Sequence, residues 1–471
     1  MIYNSFNFII IFPLIFLLYY VIPARYGKAR NIFLLAASYL LYLQWKPVYA
    51  LVLLGITAIT YCGALMIEKS QRPKRALVTT IVATLLPMGF FKYYNFLNDS
   101  ISSFLASVGL QFHLPGLNWA IPVGISFFSL TAVGYVYDVY KKKNEAEKDF
   151  LNYALFISFF PCILSGPINR GWQFLPQLKN LRPYFDYAKA VEGLKMILWG
   201  MFMKVAVADR IFLYVDKVLP DYSHYTGVTC LVAAVLYSIQ LYADFAGYSL
   251  MAIGVGKTLG LEIAQNFKRP YFAVSVSDFW GRWHISLSFW LRDYVYIPLG
   301  GSRCSKLKNY RNLFLTFFVS GIWHGANWTW IIWGCWHGLF VVLEKIFNQQ
   351  KCRYGNFGRA VKILITFVLV CFTRIFSGVP TLSDSLGILS RIFDSSLPAT
   401  LFLPTNTDIL LGLTGIAMVF IKDFFDEFHP DRLKLFDNKS AFIRRSCYVV
   451  VFAMIMLSGV FAADQFIYVK F

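Results

Sequence analysis

Phe318–Trp330, with the sequence FVSGIWHGANWTW, joins two long apolar runs whose outer ends are both basic. If Arg311 and Lys345 lie on the same side of a membrane, the chain between them enters and returns as a hairpin. His324 is thirteen positions after Arg311, a distance of ~20 Å along a helix, which puts the imidazole well inside a ~30 Å hydrocarbon core. A titratable group is costly at that depth, so we predict that His324 belongs to a functional site.

The composition of the whole chain also indicates a membrane protein. Of 471 residues, 58% are hydrophobic and 18% are aromatic, and the mean hydropathy is +0.55. A soluble protein of this length would expose too much apolar surface. The formal net charge is +19, but the basic residues fall in short loops between apolar runs, which is typical of cytoplasmic loops. The expected partners therefore include membrane lipid and no nucleic acid.

Twelve apolar segments are candidates for transmembrane helices. They are residues 5–23, 31–47, 49–67, 77–95, 117–138, 191–214, 227–248, 309–322, 327–347, 360–378, 406–421 and 446–465. If the N-terminus is outside, one side carries the basic loops Lys69–Arg75, Lys141–Lys148, Lys268–Arg311, Lys351–Lys362 and Arg432–Arg445. Leu151–Leu164 is too short to span and is predicted to be re-entrant. The pattern predicts one all-α polytopic membrane domain over residues 1–471, with about 11–12 transmembrane helices.

Two glycines, Gly321 and Gly325, flank His324. They favour a break in the backbone or a close approach, and at membrane depth irregular backbone is tolerated only where protein or water lines it. We therefore predict re-entrant or interfacial helices around a central cavity. The core that carries the histidines is expected at approximately residues 117–347.

The Lys268–Arg311 segment combines eight basic and two acidic residues with many aromatic ones. Ser277 or Asp278 is predicted to cap a helix, and Asp278 is four residues before Arg282, the spacing of a helical ion pair. Aromatic residues typical of a membrane interface are Trp280, Trp283, Phe289 and Trp290. One interpretation is an amphipathic cytoplasmic helix that lies on the bilayer. The alternative is that His284 and the arginines line a cytoplasmic mouth for an anionic donor.

For the other residues that could carry chemistry, the sequence favours structural roles. Gly254–Thr258 ends like a nucleotide-binding loop, but Met251 stands where the first glycine is required. The eight cysteines are scattered without metal-site or disulfide spacing, so no metal site is predicted. A structural hydrogen bond is the favoured interpretation for His337. Packing partners of opposite charge are predicted for Asp138, Asp244, Arg170 and Lys204.

Several motifs together resemble the membrane-bound O-acyltransferase superfamily, in particular its bacterial branch of alginate and polysaccharide O-acetylation proteins. The strongest matches are SDFWGRWHISLS at 277–288, YIPLGGS at 296–302 and GIWHGANW at 321–328. Supporting matches are 124–128, 137–138, 166–170, 204–209 and 242–248. They occur in the same order over nearly the whole chain, which makes a chance resemblance to all of these segments improbable.

The resemblance implies that His324 is the central catalytic histidine and that His284 is the second residue of the site. It also implies an enzyme of the bacterial cytoplasmic (inner) membrane that moves an acetyl or other acyl group from a cytoplasmic thioester to a hydroxyl on the other side. The acceptor would be an extracytoplasmic polysaccharide or an exported partner protein. Acetyl-CoA would serve as the donor substrate, with no bound cofactor and no metal.

The residue chemistry agrees with that reaction. A hydroxyl is a poor nucleophile until a base takes its proton, and an imidazole, with an ordinary pKa of ~6.5, is suited to this step. The developing oxyanion would be stabilised by Asn327, the indoles of Trp323 and Trp328, or His284, among which the sequence does not choose. Further candidates for contact with substrate or donor are Arg282, Asp278 and Ser288.

Alternative functions remain open at the level of the sequence. D-alanyl transfer from a carrier protein to a cell-envelope polymer is the nearest alternative. A multi-span transporter or flippase also has buried Asp and His, although no inverted repeat is visible. A non-catalytic subunit of a polysaccharide export complex is the third, and it predicts that His324 is dispensable.

Overall fold

The protein is described by a computed structural model that covers residues 6–180, 184–347, 355–396, 398–432 and 434–461. The α-helices in these ranges are α1 (Phe6–Val21), α2 (Gly27–Leu43), α3 (Pro47–Lys69), α4 (Pro73–Met88), α5 (Tyr94–Ser107), α6 (Ile125–Tyr140), α7 (Phe150–Ser158), α8 (Gly171–Lys179), α9 (Tyr187–Met201), α10 (Asp209–Val218), α11 (Gly227–Thr258), α12 (Val276–Arg282), α13 (Ile285–Leu291), α14 (Lys306–His324), α15 (Trp328–Ile346), α16 (Asn356–Ser377), α17 (Leu382–Phe393), α18 (Asn406–Phe428) and α19 (Ala441–Ser458). Short π-helical turns are Gly89–Tyr93, Phe202–Ala208 and Arg292–Tyr296.

The prediction of an all-α membrane protein is confirmed: no strand occurs in the ranges above, and each of the twelve predicted segments overlaps a helix. Residue 5, residues 462–465 of the last predicted segment and residues 351–354 of a basic loop lie outside the described residues. Leu151–Leu164 contains no helix other than the last eight residues of α7, which are followed by turns.

Five helices of the described chain are long and apolar enough to cross a membrane. They are Pro47–Lys69, Pro73–Ser107, Gly227–Thr258, Asn356–Ser377 and Ala441–Ser458. Large apolar side chains are exposed on several helices, for example Ile10 at 69% and Val21 at 75% on α1. Apolar surface of this kind is typical of contact with lipid. The total of 11–12 transmembrane helices stays a prediction.

The chain forms two compact units. The first contains residues 9–191 and 255–264. In it α3 packs against α4 and α6, and α2 packs against α7, where the Asn31 amide donates to Asn152 Oδ1 at 2.8 Å. Asp138 lies 3.7 Å from the ammonium of Lys143, in agreement with the predicted partner of opposite charge. The single domain over residues 1–471 stays a prediction.

The second unit contains residues 6–8 and 192–254 and the described residues from Gln265 onward. Helices α9 and α11 cross closely in it. Their separation leaves no room for a side chain, since a Cβ on Gly200 would lie 2.6 Å from the carbonyl oxygen of Gly247. This crossing brings Lys204, in the π-helical turn after α9, against α11. Its Nζ lies 2.6 Å from Asp244 Oδ1 and 2.6 Å from Asp209 Oδ1, and all three side chains are buried. The predicted pairing of Asp244 with a basic residue is confirmed.

Helices α14 and α15 form the hairpin that the sequence predicts. Their backbones meet at Gly321 and Gly334: a Cβ on Gly321 would lie 2.5 Å from the carbonyl oxygen of Trp330 and 3.2 Å from Gly334 Cα. Only residues without a side chain allow this separation. His324 is the last residue of α14, and Asn327 caps the start of α15 through Oδ1 and the Thr329 amide. The turn of the hairpin therefore fixes His324 between two helix ends.

Candidate active site

His324 is enclosed by three indole rings of the second unit. Its ring centroid lies 4.8 Å from that of Trp323, 5.2 Å from Trp330 in a stacked arrangement, and 4.9 Å from Trp333 edge to face. The histidine is 7% exposed. Aromatic packing of this kind restricts the rotation of the imidazole, so its two ring nitrogens keep fixed directions. The predicted central cavity beside it stays a prediction.

His284 lies in a break between two short helices, α12 and α13. Its backbone is left-handed, with φ at +44°, a conformation that costs a residue other than glycine of order 1–3 kcal/mol and is concentrated at functional sites. Asn266 holds the break in place: its carbonyl oxygen accepts from the Ile285 amide at 2.9 Å, and its Oδ1 accepts from the Ser286 hydroxyl at 2.9 Å. The conformation of His284 is thus supported by hydrogen bonds on its C-terminal side.

The two histidines come together although forty residues separate them in the sequence. Their ring centroids are 6.4 Å apart. Trp323 adjoins both, at 6.2 Å from His284 and 4.8 Å from His324, and Phe245 of α11 packs against His284 at 4.7 Å. Two imidazoles at this spacing, both buried, have the geometry to contact the two sides of one small reacting group.

The segment that carries His284 is attached to the hairpin that carries His324. Glu344 of α15 accepts hydrogen bonds from the backbone amides of Val276 at 2.5 Å and Ser277 at 2.9 Å, and from the Ser277 hydroxyl at 2.7 Å. A carboxylate is well placed there, because the first amides of a helix have no partner within the helix. Glu344 therefore links the start of α12 to α15.

A buried arginine of α16, Arg374, adjoins both halves of this arrangement. Its guanidinium carbon lies 4.5 Å from the ring centroid of Trp283 and 5.6 Å from that of Trp333. His284 belongs to none of the five candidate membrane-spanning helices. Burial and the positive charge of Arg374 lower the pKa of His284 to about 3. His284 is consequently uncharged at neutral pH.

Comparison with known proteins identifies the family to which the chain belongs. The family model of membrane-bound O-acyltransferases matches residues 34–379. The chain belongs to the membrane-bound O-acyltransferase family. It is 37% identical to a probable alginate O-acetylase of Pseudomonas syringae, over 83% of this chain and 74% of that protein.

Other similar proteins carry different acceptors in their names. The chain is 33% identical to a peptidoglycan O-acetyltransferase of Helicobacter pylori, over 91% of this chain and 83% of that protein. It is 31% identical to a teichoic acid D-alanyltransferase of Bacillus subtilis, over 64% of this chain and 77% of that protein. This acyltransferase is therefore similar to acetyl-transferring relatives over more of its length than to the D-alanyl-transferring one.

Of the other predicted site residues of this acyltransferase, only Trp323 adjoins the histidines through a described ring contact. Asn327 caps α15 and donates to the Pro380 carbonyl, Trp328 is 56% exposed, and the Ser288 hydroxyl donates to the Trp283 carbonyl at 3.3 Å. Asp278 and Arg282 form the predicted pair, with Nε and Oδ1 2.8 Å apart.

Two predictions about the segment around His284 were wrong. The cap of α12 is Ser275, whose hydroxyl accepts from the Asp278 amide at 3.0 Å, rather than Ser277 or Asp278, because the helix begins at Val276. The segment is not one amphipathic helix at a bilayer surface, since it breaks at His284. Its indoles are buried, as seen in Trp280 at 7%, Trp283 at 2% and Trp290 at 7% exposure, and only the ring of Phe289 is exposed.

His337 has the structural role that the sequence favours. Its Nδ1 accepts from the indole N–H of Trp280 at 3.2 Å, and its Nε2 lies 2.9 Å from the Thr373 hydroxyl. That hydroxyl donates to the Val370 carbonyl, so Nε2 carries the hydrogen and donates to Thr373. With both ring nitrogens engaged, His337 holds α12, α15 and α16 together.

Gly325→Ala is expected to displace Trp330 and lower acyl transfer by about 10- to 100-fold, since small displacements of catalytic groups have effects of this size. The backbone of Gly325, with φ at −154°, accepts alanine, but the new Cβ would lie 2.1 Å from Trp330 Cδ1. The loss of stability should be about 1–3 kcal/mol. Gly55→Ala on α3 is the control because its Cβ meets nothing within 4 Å. Equal activity of the two variants would contradict the role of Trp330 stacking.

Proposed function

We propose that this O-acyltransferase moves an acetyl group from acetyl-CoA on the cytoplasmic side of the bacterial inner membrane to a hydroxyl of an extracytoplasmic polysaccharide. Delivery is direct or passes through an exported partner protein. The observation that carries the proposal is the buried pair of His284 and His324, with ring centroids 6.4 Å apart, in a chain of this family.

In the proposed mechanism, the imidazole of His324 takes the proton of the acceptor hydroxyl as its oxygen attacks the thioester carbonyl carbon. The carbon–sulfur bond then breaks, and the thiolate takes that proton, which yields the ester and free CoA. His284, uncharged at neutral pH because of burial and Arg374, contacts the reacting groups as a hydrogen-bonding partner. Placement of both reactants between two fixed rings supplies proximity.

The share of this chain that each relative matches favours acetyl-CoA as the donor over a D-alanyl carrier protein. The two acetyl-transferring relatives match 83% and 91% of the chain, compared with 64% for the D-alanyl-transferring one. The names of those relatives support a polymer of the cell envelope or an exopolysaccharide as the acceptor. Alginate-like and peptidoglycan-like hydroxyls are thus the first acceptors to test.

The test is turnover by the purified protein in lipid nanodiscs. Acetyl-labelled acetyl-CoA and a D-alanyl carrier-protein thioester are supplied separately, each with alginate or peptidoglycan fragments, and both thiol release and label in the polymer are measured. We expect release and transfer from acetyl-CoA only. Transfer from the carrier protein with acetyl-CoA inert would overturn the proposed donor, and turnover of neither in the presence of both acceptors and membrane extract would overturn the proposed function.

A further inference from the structure

Arg374 is an unusual residue for the interior of a membrane protein. It lies on α16, one of the helices apolar enough to span a membrane, and it is 2% exposed. Its Nε and Nη2 have no hydrogen-bond partner among the described residues, and no carboxylate of those residues pairs with it. A buried guanidinium without such partners costs several kcal/mol, which makes Arg374 a candidate for a functional role.

Arg374 and His324 lie at similar distances from the basic ends of their helices. Twelve residues separate it from Lys362, the last basic residue before it on the same helix, which corresponds to ~18 Å along the helix axis. His324 is at a similar depth, thirteen residues or ~20 Å from Arg311 on α14. If both basic residues mark the cytoplasmic end, the guanidinium and the imidazole are at the same level of the membrane.

Two rings connect the arginine to the two histidines. Trp333 lies 5.6 Å from the guanidinium carbon and 4.9 Å from the His324 ring centroid. Trp283 lies 4.5 Å from the guanidinium carbon and precedes His284 in the chain. Trp333 is fully buried, and its Nε1 also has no hydrogen-bond partner among the described residues. Two neighbouring side chains thus hold buried N–H donors that no described residue of the protein accepts from.

We propose that Arg374, with the indole N–H of Trp333, binds the carbonyl oxygen of the acyl donor and stabilises the negative charge that forms there during transfer. This inference rests on the proposed function. When the acceptor oxygen bonds to the carbonyl carbon, the electron pair of the C=O π bond moves onto the carbonyl oxygen. The pair returns as the carbon–sulfur bond breaks, and the thiolate leaves with the proton held by His324.

This assignment explains why no described residue pairs with these N–H donors. Oxyanion stabilisation is strongest when charged or polar donors are fixed in a dry site before the reaction, because no solvent has to reorganise. Stacking on Trp283 fixes the plane of the guanidinium without occupying its N–H groups, since a cation is attracted to the face of the ring. A partner carboxylate would have neutralised the charge that the reaction needs.

The experiment compares Arg374→Gln, Arg374→Lys and Trp333→Phe with the wild type in nanodiscs, using acetyl-CoA and polymer acceptor. We expect Arg374→Gln to lower kcat by about 100-fold or more, with the KM for acetyl-CoA changed by less than about 3-fold. Arg374→Lys should recover part of the kcat, because it restores the charge without the planar fork. Added guanidinium ion should raise the kcat of an Arg374→Ala variant, a rescue that loss of packing would not show.

Arg30 provides the matched control. It is also 2% exposed and its guanidinium lies 4.8 Å from the Tyr19 ring, but it belongs to the first unit, where Nε donates to the Ile22 carbonyl. Arg30→Gln should lower the melting temperature without a selective loss of kcat. Equal losses of kcat in Arg30→Gln and Arg374→Gln would overturn the assignment of Arg374.

Two further outcomes separate this inference from the proposed function. If the wild type transfers acetyl groups and the folded Arg374→Gln variant does so at the same rate, only the assignment of Arg374 fails. If the wild type does not turn over with any donor, the proposed function fails, and this inference fails with it. Should the Arg374 variants not fold, an unchanged kcat in Trp333→Phe, which keeps an aromatic ring but loses the N–H, would overturn the oxyanion site.

Discussion

Replacement of His324 by glutamine is expected to lower the kcat for acyl transfer by about 100- to 10,000-fold, the usual range for loss of a general base. Glutamine keeps a polar side chain of similar length among the surrounding indoles but has no nitrogen that accepts a proton at neutral pH. The ring contacts of His324 with Trp323, Trp330 and Trp333 at 4.8–5.2 Å fix where that nitrogen points. The measurement is label transfer from acetyl-CoA to polymer at saturating donor.

His337→Gln is the matched control for that variant. Both histidines are buried in the same hairpin, but the ring of His337 is held by Trp280 and Thr373. Loss of this network leaves buried groups unsatisfied and should lower the stability by about 1–3 kcal/mol, while the folded protein keeps its kcat. A His324→Gln variant with the kcat of the wild type would show that His324 is not the base and would favour a transporter or an assembly subunit.

Lys204→Met is expected to cause the largest loss of stability, about 3–5 kcal/mol. The lysine lies 2.6 Å from both Asp209 and Asp244, and all three side chains are at most 2% exposed. Without it, two carboxylates of like charge remain buried next to each other. The measurement is the apparent melting temperature of the purified protein, followed by thiol reactivity or light scattering.

The control for Lys204 is Lys195, whose ammonium pairs with the exposed carboxylate of Asp437; the two side chains are 19% and 71% exposed. Lys195→Met should cost no more than about 1 kcal/mol. Adding Asp209→Asn and Asp244→Asn to Lys204→Met should restore part of the melting temperature, because it removes the uncompensated charges. A Lys204→Met variant as stable as Lys195→Met would contradict the burial of this charge cluster.

The fold class and the place of His324 at a helical hairpin follow from the sequence because they depend on local signals. Apolar runs of span length predict helices, and a titratable residue between two such runs predicts a site at the turn of α14 and α15. The meeting of His284 with His324 came from family resemblance rather than from spacing, because forty residues and a π-helical turn separate them. Neither the hydrophobic periodicity nor the charge pattern of the sequence indicates how α12 is oriented against the hairpin of α14 and α15.

Arg374 was missed, although the sequence contains a signal for it. An arginine within the apolar run 360–378 is as unusual at membrane depth as His324. Its neighbours in the structure, Trp283 and Trp333, are 91 and 41 positions earlier, and only tertiary packing brings them together. The burial of the Trp280 and Trp283 indoles was likewise not predictable from composition, since tryptophan occurs both at membrane interfaces and in cores.

The attachment of α12 to Glu344 has a mechanical consequence. Because Glu344 belongs to α15 and α15 packs on α14, His284 and His324 are carried by one rigid assembly of three helices. Their spacing is then insensitive to breathing motions elsewhere in the protein. We therefore expect entry of the donor and departure of the free thiol to move elements outside this assembly rather than the two histidines.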